Sequence, residues 1–151
     1  MFTMEKLTLL LLFAAFSQGD AADDGCPPGW SACGLKCVKF FSQPLDWFSA
    51  EKHCQTFGGN LASVHNKYQN DLLLSLVPGT TQTWIGGHDN VKEGHFMWSD
   101  GSLFDYSNWC SGQPDNNGNN ENAVEINYGN HCWNDNVKET QFAFICARSL
   151  F

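Results

Sequence analysis

The pattern of apolar and polar residues predicts two helices in the first half of the chain. The first begins at Asp46, a suitable N-cap residue, and ends at Gly58-Gly59. Its apolar positions recur along one helical face, at Trp47, Ala50, Cys54 and Phe57. The second begins at Asn66, which forms a capping-box pattern with Gln69, and Pro78-Gly79 ends it. Aromatic residues at helical spacing indicate core packing, so we assign no cofactor to them.

Short apolar stretches bounded by turn residues predict strands in the rest of the chain. The predicted strands cover residues 38–41, 61–64, 83–85, 96–98, 123–126, 131–134 and 142–146. Pro27-Pro28-Gly29 predicts a hairpin turn before the first strand, and Gly86-Gly87 allows another backbone to approach the third closely. Two helices followed by a series of strands indicate an α+β domain.

The longest stretch without a regular pattern, residues 101–121, contains the candidate site. It is rich in oxygen donors, and two more donors follow on a predicted strand. The candidate ligands are Gln113, Asp115, Glu121, Asn134 and Asp135. Calcium is bound in proteins by about six to eight oxygen atoms from carboxylates, amides and backbone carbonyls. Five side chains do not complete this shell, so we expect water or two neighbouring sugar hydroxyls at the remaining positions.

The loop allows two other interpretations. Asp115, Asn117 and Asn119 imitate the first ligands of an EF-hand, but Asn120 and Ile126 occupy the positions of its turn glycine and final glutamate. The loop is therefore not an EF-hand. A surface loop that only forms turns remains the alternative, because Asn, Asp and Gly favour turns.

The composition indicates one exported domain. The 151 residues are 42% hydrophobic, enough for one core, and the net charge of −8 disfavours nucleic acid and anionic membranes as partners. Lys6 and the apolar run from Leu7 to Phe16, followed by Ser17-Gln18-Gly19, predict a signal peptide at residues 1–19. We expect an acidic tail at residues 20–25 and a domain at residues 26–151. We also expect secretion to the extracellular space and no membrane insertion.

Seven cysteines in an exported chain of this size indicate disulfides rather than a zinc or redox site. The sequence has no C-x-x-C pair and no Cys/His cluster with zinc spacing. A Cys26–Cys37 bridge would close the base of the first predicted hairpin. The odd number leaves one thiol over.

Five short motifs, taken in order, resemble the C-type lectin-like domain family over residues 26–150. They are Trp84-Ile85-Gly86-Gly87, Gln113-Pro114-Asp115, Glu121, Trp133-Asn134-Asp135 and Phe144-Ile145-Cys146. Within the family, the chain looks most similar to small secreted single-domain fish lectins and to the type II antifreeze proteins. The resemblance implies two helices, two small antiparallel sheets and a long irregular calcium-binding loop.

The resemblance also implies a role for each candidate ligand. Gln113, Asp115, Glu121, Asn134 and Asp135 stand at the positions of the family's principal calcium ligands, which also bind the sugar. Pro114 is expected to follow a cis peptide bond. In the family, a Gln-Pro-Asp triplet accompanies galactose-type sugars. We therefore expect a calcium-dependent lectin with galactose-type glycans as partners and a role in innate defence through microbial glycans.

The chain departs from the family pattern in three respects. Ala123 and Lys138 stand where a cysteine pair is usual, and the resemblance to the antifreeze branch implies Cys110–Cys132 instead, beside a long-range Cys54–Cys146 bridge. Residues 116–120 contain no aromatic residue to stack on a sugar, so we expect weak, millimolar-class binding. Cys33 has no partner in the family, and it is expected either to be free or to link two chains of a homodimer.

A calcium-dependent type II antifreeze protein is the alternative function, because such proteins also keep the Gln-Pro-Asp triplet. The absence of threonine between Gly112 and Lys138 favours sugar over ice. An interaction module that had lost metal binding would have lost ligands, and none is lost here. The histidines lack any catalytic motif, so we expect no enzyme; they include His65, His88, His95 and His131.

Overall fold

The computed structural model describes residues 25–150, so the predicted signal peptide at residues 1–19 and the acidic residues 20–24 lie outside the described residues. Two helices and eight strands follow one another within this range. In chain order they are β1 (Ser31–Cys33), β2 (Lys36–Leu45), α1 (Trp47–Gln55), β3 (Asn60–Leu61), α2 (Lys67–Leu76), β4 (Thr83–His88), β5 (Met97–Trp98), β6 (Glu121–Tyr128), β7 (Cys132–Val137) and β8 (Phe142–Ser149).

Both helices begin at the predicted caps. Asp46 Oδ1 accepts a hydrogen bond from the backbone N–H of Ser49 at 2.9 Å, and Asn66 Oδ1 accepts one from that of Gln69, also at 2.9 Å. The side chain of Gln69 in turn accepts from the backbone N–H of His65 at 2.8 Å. These bonds satisfy N–H groups that have no partner inside the helix. Each helix start is therefore set by a cap residue and a residue in the first turn of the same helix. Both predicted helix starts are confirmed.

The strands form one continuous mixed sheet in the order β1-β2-β8-β4-β6-β7, with β3 beside β8 and β5 beside β4. The central pair, β4 and β8, is parallel, with Thr83 opposite Ala143 and Trp84 opposite Phe144. The α+β class is confirmed. The resemblance implied two small antiparallel sheets, and the parallel pair joins the antiparallel strands on either side of it into one mixed sheet. The predicted strand at residues 61–64 is shorter, because only Asn60–Leu61 pairs with β8.

Strand β4 divides the core between its two faces. Trp84 and Ile85 are fully buried neighbours, and they belong to different apolar clusters. The cluster of Trp84 lies beneath α1 and includes Trp47, Ala50, Cys54 and Phe144. The cluster of Ile85 extends toward the long loop and includes Trp98, Val124 and Trp133. Successive side chains on a strand point to opposite faces, so one strand supports both clusters.

The two glycines after Ile85 fit their predicted role. A Cβ atom on Gly86 would lie 2.6 Å from the carbonyl oxygen of Leu61, and one on Gly87 would lie 2.7 Å from Cγ2 of Val124. Real Cβ atoms do not approach this closely. The close packing of β4 against its neighbours therefore requires glycine at both positions.

Three disulfides constrain the described chain: Cys26–Cys37, Cys54–Cys146 and Cys110–Cys132. They are the pairs that the hairpin and the resemblance implied. Cys54–Cys146 joins α1 to β8 across 92 residues, and a loop of this length is worth about 4–5 kcal/mol in the loop-entropy model.

Cys33 is the free cysteine of the described residues, and its side chain lies in the core at 8% exposure. Burial raises the pKa of its thiol. A buried, protonated thiol reacts poorly, because thiolate is the reactive form. Of the two alternatives left open for Cys33, this environment favours the free thiol over the bridge of a homodimer.

Candidate functional site

The long loop is tied to strand β7 immediately before the candidate ligands on that strand. Trp109 forms a parallel bridge with Trp133. The backbone N–H of Cys110 donates to the carbonyl of Trp133 at 2.9 Å, and that of Trp133 donates to the carbonyl of Asn108 at 2.8 Å. The Cys110–Cys132 disulfide lies beside these bonds. The loop therefore enters the site at a fixed position along β7, next to Trp133, although it has little regular structure of its own.

Asp135, on β7, holds the segment of the loop that contains Asp115 and Asn116 in place. Its carboxylate is completely buried and accepts hydrogen bonds from the backbone N–H groups of Asp115, at 3.1 Å, and Asn116, at 2.8 Å. The backbone N–H of Asn117 donates to Oε1 of Glu121 at 2.9 Å. Backbone amides thus orient the carboxylates, and the peptide bond between Gln113 and Pro114 is cis.

Three of the five candidate ligands form one carboxylate cluster. Oxygen atoms of Asp115, Glu121 and Asp135 all lie within 4.8 Å of one another. Asp115 is exposed, Glu121 is half-buried and Asp135 is buried, so the cluster extends from the interior to the surface. Carboxylates at this separation repel one another unless a cation or protons intervene.

The titration of the cluster reflects this crowding. Burial, followed by the hydrogen bond shared with Asp115, raises the pKa of Glu121 to about 7. Burial also raises the pKa of Asp135, although the backbone N–H groups of Asn116 and Asp115 oppose that rise. The calcium-free cluster therefore holds its negative charge poorly, and a hard cation would relieve both the repulsion and the desolvation.

The side chain of Gln113 contains a buried acceptor atom that lacks a hydrogen-bond partner. Its side-chain oxygen Oε1 is buried and has no hydrogen-bond partner among the described residues. Leaving a buried acceptor unpaired costs roughly 1–3 kcal/mol. An oxygen-seeking cation would satisfy this atom, and the oxygen-only chemistry of the cluster suits calcium better than a transition metal. The residues present therefore fit the expected ion.

The remaining candidate ligand, Asn134, lies next to Asp135 on β7 and is 5% exposed. In the pairing of β7 with β6 it stands directly opposite Glu125. Glu125 was not among the residues singled out from the sequence. Its position in the alternating stretch 123–126 predicted an ordinary strand residue, yet it is fully buried.

The asparagines of the loop also form the turns that the alternative interpretation requires. Asn116 and Asn119 have positive φ values of 46° and 62°, which asparagine tolerates better than most residues. Asn116 has a second function, because its Oδ1 accepts from the backbone N–H of Glu121 at 3.1 Å. Turn formation alone does not explain why the carboxylates converge or why Gln113 Oε1 is left unpaired.

Comparison with known proteins places the chain among lectins and their relatives. The family model described as "Lectin C-type domain" matches residues 43–148. "Galactose-specific lectin nattectin" from Thalassophryne nattereri is 41% identical over an alignment of 151 residues, which covers 93% of this chain and 95% of that protein.

Two solved structures illustrate the structural relationship. Herring type II antifreeze protein superposes with a TM-score of 0.79 at 32% identity, over 83% of this chain and 100% of that chain. The C-type lectin CEL-I from Cucumaria echinata gives 0.76 at 31% identity, over 81% and 96%. Lectins and antifreeze proteins therefore share this fold.

Proposed function

Because the chain belongs to the C-type lectin family, whose members bind carbohydrate and are not enzymes, we propose that it is a secreted lectin that binds galactose-type sugars through calcium. The observation that carries the proposal is the convergence of Asp115, Glu121 and Asp135 beside the unpaired Oε1 of Gln113. The cluster supplies negative charge, and the amide oxygen supplies a neutral ligand that lacks any other partner.

The candidate side chains would bind both the calcium ion and the sugar. The ion would be held by Gln113, Asp115, Glu121, Asn134 and Asp135. The three carboxylates and the divalent ion together give the site a formal net charge of about −1. When bound, calcium supplies open coordination positions for two neighbouring sugar hydroxyls. The amides of Gln113 and Asn134 can donate hydrogen bonds to those hydroxyls, and the carboxylates of Asp115 and Glu121 can accept them.

The galactose preference is supported by the order of these donors and acceptors. In Gln113-Pro114-Asp115 the amide precedes the carboxylate. The reverse order would exchange which of the two sugar hydroxyls must donate a hydrogen bond and which must accept one. The name of nattectin, a galactose-specific lectin at 41% identity, supports the same assignment. No aromatic residue follows in residues 116–120, so we expect millimolar-class affinity for a monosaccharide.

Chromatography on immobilised galactose tests the proposal. The protein should be retained in millimolar calcium and released both by lactose and by excess EDTA. A mannose column under the same conditions is the matched control and should retain less. Retention that persists in EDTA would contradict calcium dependence, and equal retention on both columns would contradict the galactose preference.

Secretion is supported by the three disulfides, which persist in oxidising compartments, and by the apolar run at residues 7–16. No helix in residues 25–150 has the length and apolar character needed to cross a membrane. N-terminal sequencing of the protein recovered from culture medium should begin at Asp20. A protein retained inside the cells with Met1 in place would contradict this.

A role in defence would require more than one sugar site per particle, since a single site cannot bridge two microbial surfaces. The buried Cys33 argues against a covalent dimer. Agglutination would therefore depend on non-covalent association, and it should be lost on dilution before sugar binding is lost.

Ice binding is the second candidate, because the herring antifreeze protein superposes over its whole length. The surface beside the cluster presents Asn117, Asn119 and Asn120, all exposed, rather than threonines. Thermal hysteresis separates the two functions. We expect none in millimolar calcium, and a hysteresis that disappears with EDTA would favour ice over sugar.

A further inference from the structure

Asn116 connects two carboxylate residues of the cluster that the sheet does not place opposite each other. In the pairing of β6 with β7, Glu121 stands opposite Val137, whereas Asp135 stands opposite Val124. The two residues therefore lie at different levels along their strands. Asn116 of the long loop spans this offset. Its backbone N–H donates to Oδ2 of Asp135 at 2.8 Å, and its side-chain Oδ1 accepts from the backbone N–H of Glu121 at 3.1 Å.

Glu121 is held at two points by the same part of the loop. Its backbone N–H donates to the side chain of Asn116, and its carboxylate Oε1 accepts from the backbone N–H of Asn117 at 2.9 Å. The two bonds run in opposite directions between the same two segments, as they do in the capping box of a helix. The first bond fixes the backbone at the start of β6, and the second fixes the direction of the Glu121 side chain.

The surroundings of Asn116 differ from those of the other asparagines in the loop. It is half-buried, whereas Asn117, Asn119 and Asn120 are exposed. Asn119 shares its left-handed backbone conformation, with φ values of 46° at Asn116 and 62° at Asn119. The side chain of Asn119, however, makes no hydrogen bond within residues 25–150. Turn formation therefore accounts for Asn119, but it does not account for the side-chain bond of Asn116.

We propose that Asn116 is a positioning residue for the calcium site, and that its side chain holds Glu121 beside Asp135 before the ion binds. This inference rests on the proposed function. Asn116 acts through the two carboxylate residues and has no assigned place among the ligands. Ordering a loop during binding costs conformational entropy, and a loop that is ordered beforehand avoids that cost. Without the side chain of Asn116, calcium itself would have to bring Glu121 into place.

Two glycine substitutions separate this role from the formation of turns. Asn116→Gly removes the acceptor of the Glu121 N–H, and Asn119→Gly removes a side chain that has no hydrogen bond within the described residues. Glycine adopts positive φ readily, so both variants keep the backbone conformation and change its flexibility alike. Asn116→Asp is the conservative variant, since its carboxylate can accept the same N–H and aspartate also tolerates positive φ.

The backbone amide of Glu121 reports the proposed bond directly. In the calcium-free protein, its exchange with solvent, measured by NMR, should quicken about fivefold in Asn116→Gly, because one hydrogen bond is lost. The exchange should stay close to that of wild type in Asn119→Gly and in Asn116→Asp.

Calcium affinity is the second measurement. The dissociation constant from titration calorimetry should rise about tenfold or more in Asn116→Gly, as is usual when a partner behind a ligand is lost. It should change less than about threefold in Asn119→Gly, which carries the same backbone change.

An unchanged Glu121 amide in Asn116→Gly would overturn the inference, and so would equal rises of the calcium dissociation constant in the two glycine variants. A Glu121 amide that exchanges as fast in Asn116→Asp as in Asn116→Gly would also overturn it. A wild-type protein that binds no calcium would end the proposed function, while the amide of Glu121 would still decide whether Asn116 holds this residue.

Should Asn116→Gly not fold, the wild-type protein decides. Exchange of the Glu121 backbone N–H as fast as that of the exposed Asn120 would overturn the inference, and markedly slower exchange would support it.

Discussion

The indole N–H of Trp133 donates to Oδ1 of Asn70 at 2.8 Å, so the residue before the proposed ligands Asn134 and Asp135 is bonded to helix α2. Both side chains are buried, with Trp133 at 0% and Asn70 at 3% exposure. Trp133 also packs edge-on against Trp98 and Trp109. The start of β7 is thereby fixed by a hydrogen bond to α2 and by aromatic contacts with Trp98 of β5 and Trp109 of the long loop.

We predict that Asn70→Ala lowers the free energy of unfolding by about 1–3 kcal/mol, because it leaves the indole N–H of Trp133 buried without an acceptor. Urea denaturation of the calcium-free protein measures this change. Asn130→Ala, in the exposed turn between β6 and β7, is the control and should cost less than about 0.5 kcal/mol. Equal losses in the two variants would show that this hydrogen bond contributes nothing specific.

Asp135→Asn should remove most calcium binding. Asp135 contributes a buried negative charge, and one unit charge about 4 Å from another is worth on the order of 4 kcal/mol at an effective dielectric constant of about 20. The calcium dissociation constant should therefore rise roughly 1,000-fold in titration calorimetry.

The control for this substitution is Asp71→Asn, which removes an equal charge from the exposed face of α2 where Asp71 pairs with Lys67. It should leave calcium affinity nearly unchanged. A similar weakening in both variants would mean that net charge, rather than the carboxylate cluster, attracts the ion.

Calcium affinity should fall with acid near neutral pH. The pKa of Glu121 is raised from its ordinary value of 4.5 to about 7, so below pH 7 calcium must displace a proton from it. The dissociation constant should rise about tenfold for each pH unit below about 7 while one proton is displaced. Calorimetry in two buffers of different ionisation enthalpy measures the released proton directly.

The same shift affects the calcium-free fold with a defined sign. Because the folded pKa of Glu121 lies above its unfolded value, this group stabilises the fold below about pH 4.5, and that contribution is lost as the pH rises through about 7. The increase in thermal midpoint caused by calcium should therefore be larger at about pH 7.5 than at about pH 5. Glu121→Gln should reduce this pH dependence, and a pH-independent increase in the wild type would contradict it.

Local chemistry made much of the fold predictable. The caps at Asp46 and Asn66 act within their own first turns, so the sequence nearby is sufficient to identify them. The parallel pairing of β4 with β8 is different, because Trp84 and Phe144 meet across 60 residues of chain and neither stretch indicates its partner. A pairing of this kind depends on which neighbours complete the core, which local alternation does not encode.

The site divides in the same way. Asp115, Glu121 and Asp135 could be proposed from residue type and order, since hard oxygen donors concentrated on one loop suit calcium. Glu125 could not, because alternation normally places a strand carboxylate in solvent. Here residues 123–127 of β6 are all buried, so both faces of the strand are covered and Glu125 is fully enclosed. Its hydrogen-bond donors are the amides of Gln82 and of Asn136 on β7, which lie in other segments of the chain.

The order of amide and carboxylate around Pro114 leads to the most specific prediction. Gln113→Glu combined with Asp115→Asn keeps the number of carboxylates and exchanges the positions of donor and acceptor. Galactose-type sugars would then leave polar groups unpaired, at roughly 1–3 kcal/mol each, and mannose-type sugars would not. The ratio of galactose to mannose affinity, measured by competition in millimolar calcium, should fall about tenfold or more. Gln113→Glu alone is the control, since it changes the charge without completing the exchange and should weaken both sugars. A double variant that still binds calcium and keeps the wild-type ratio would show that other residues select the sugar.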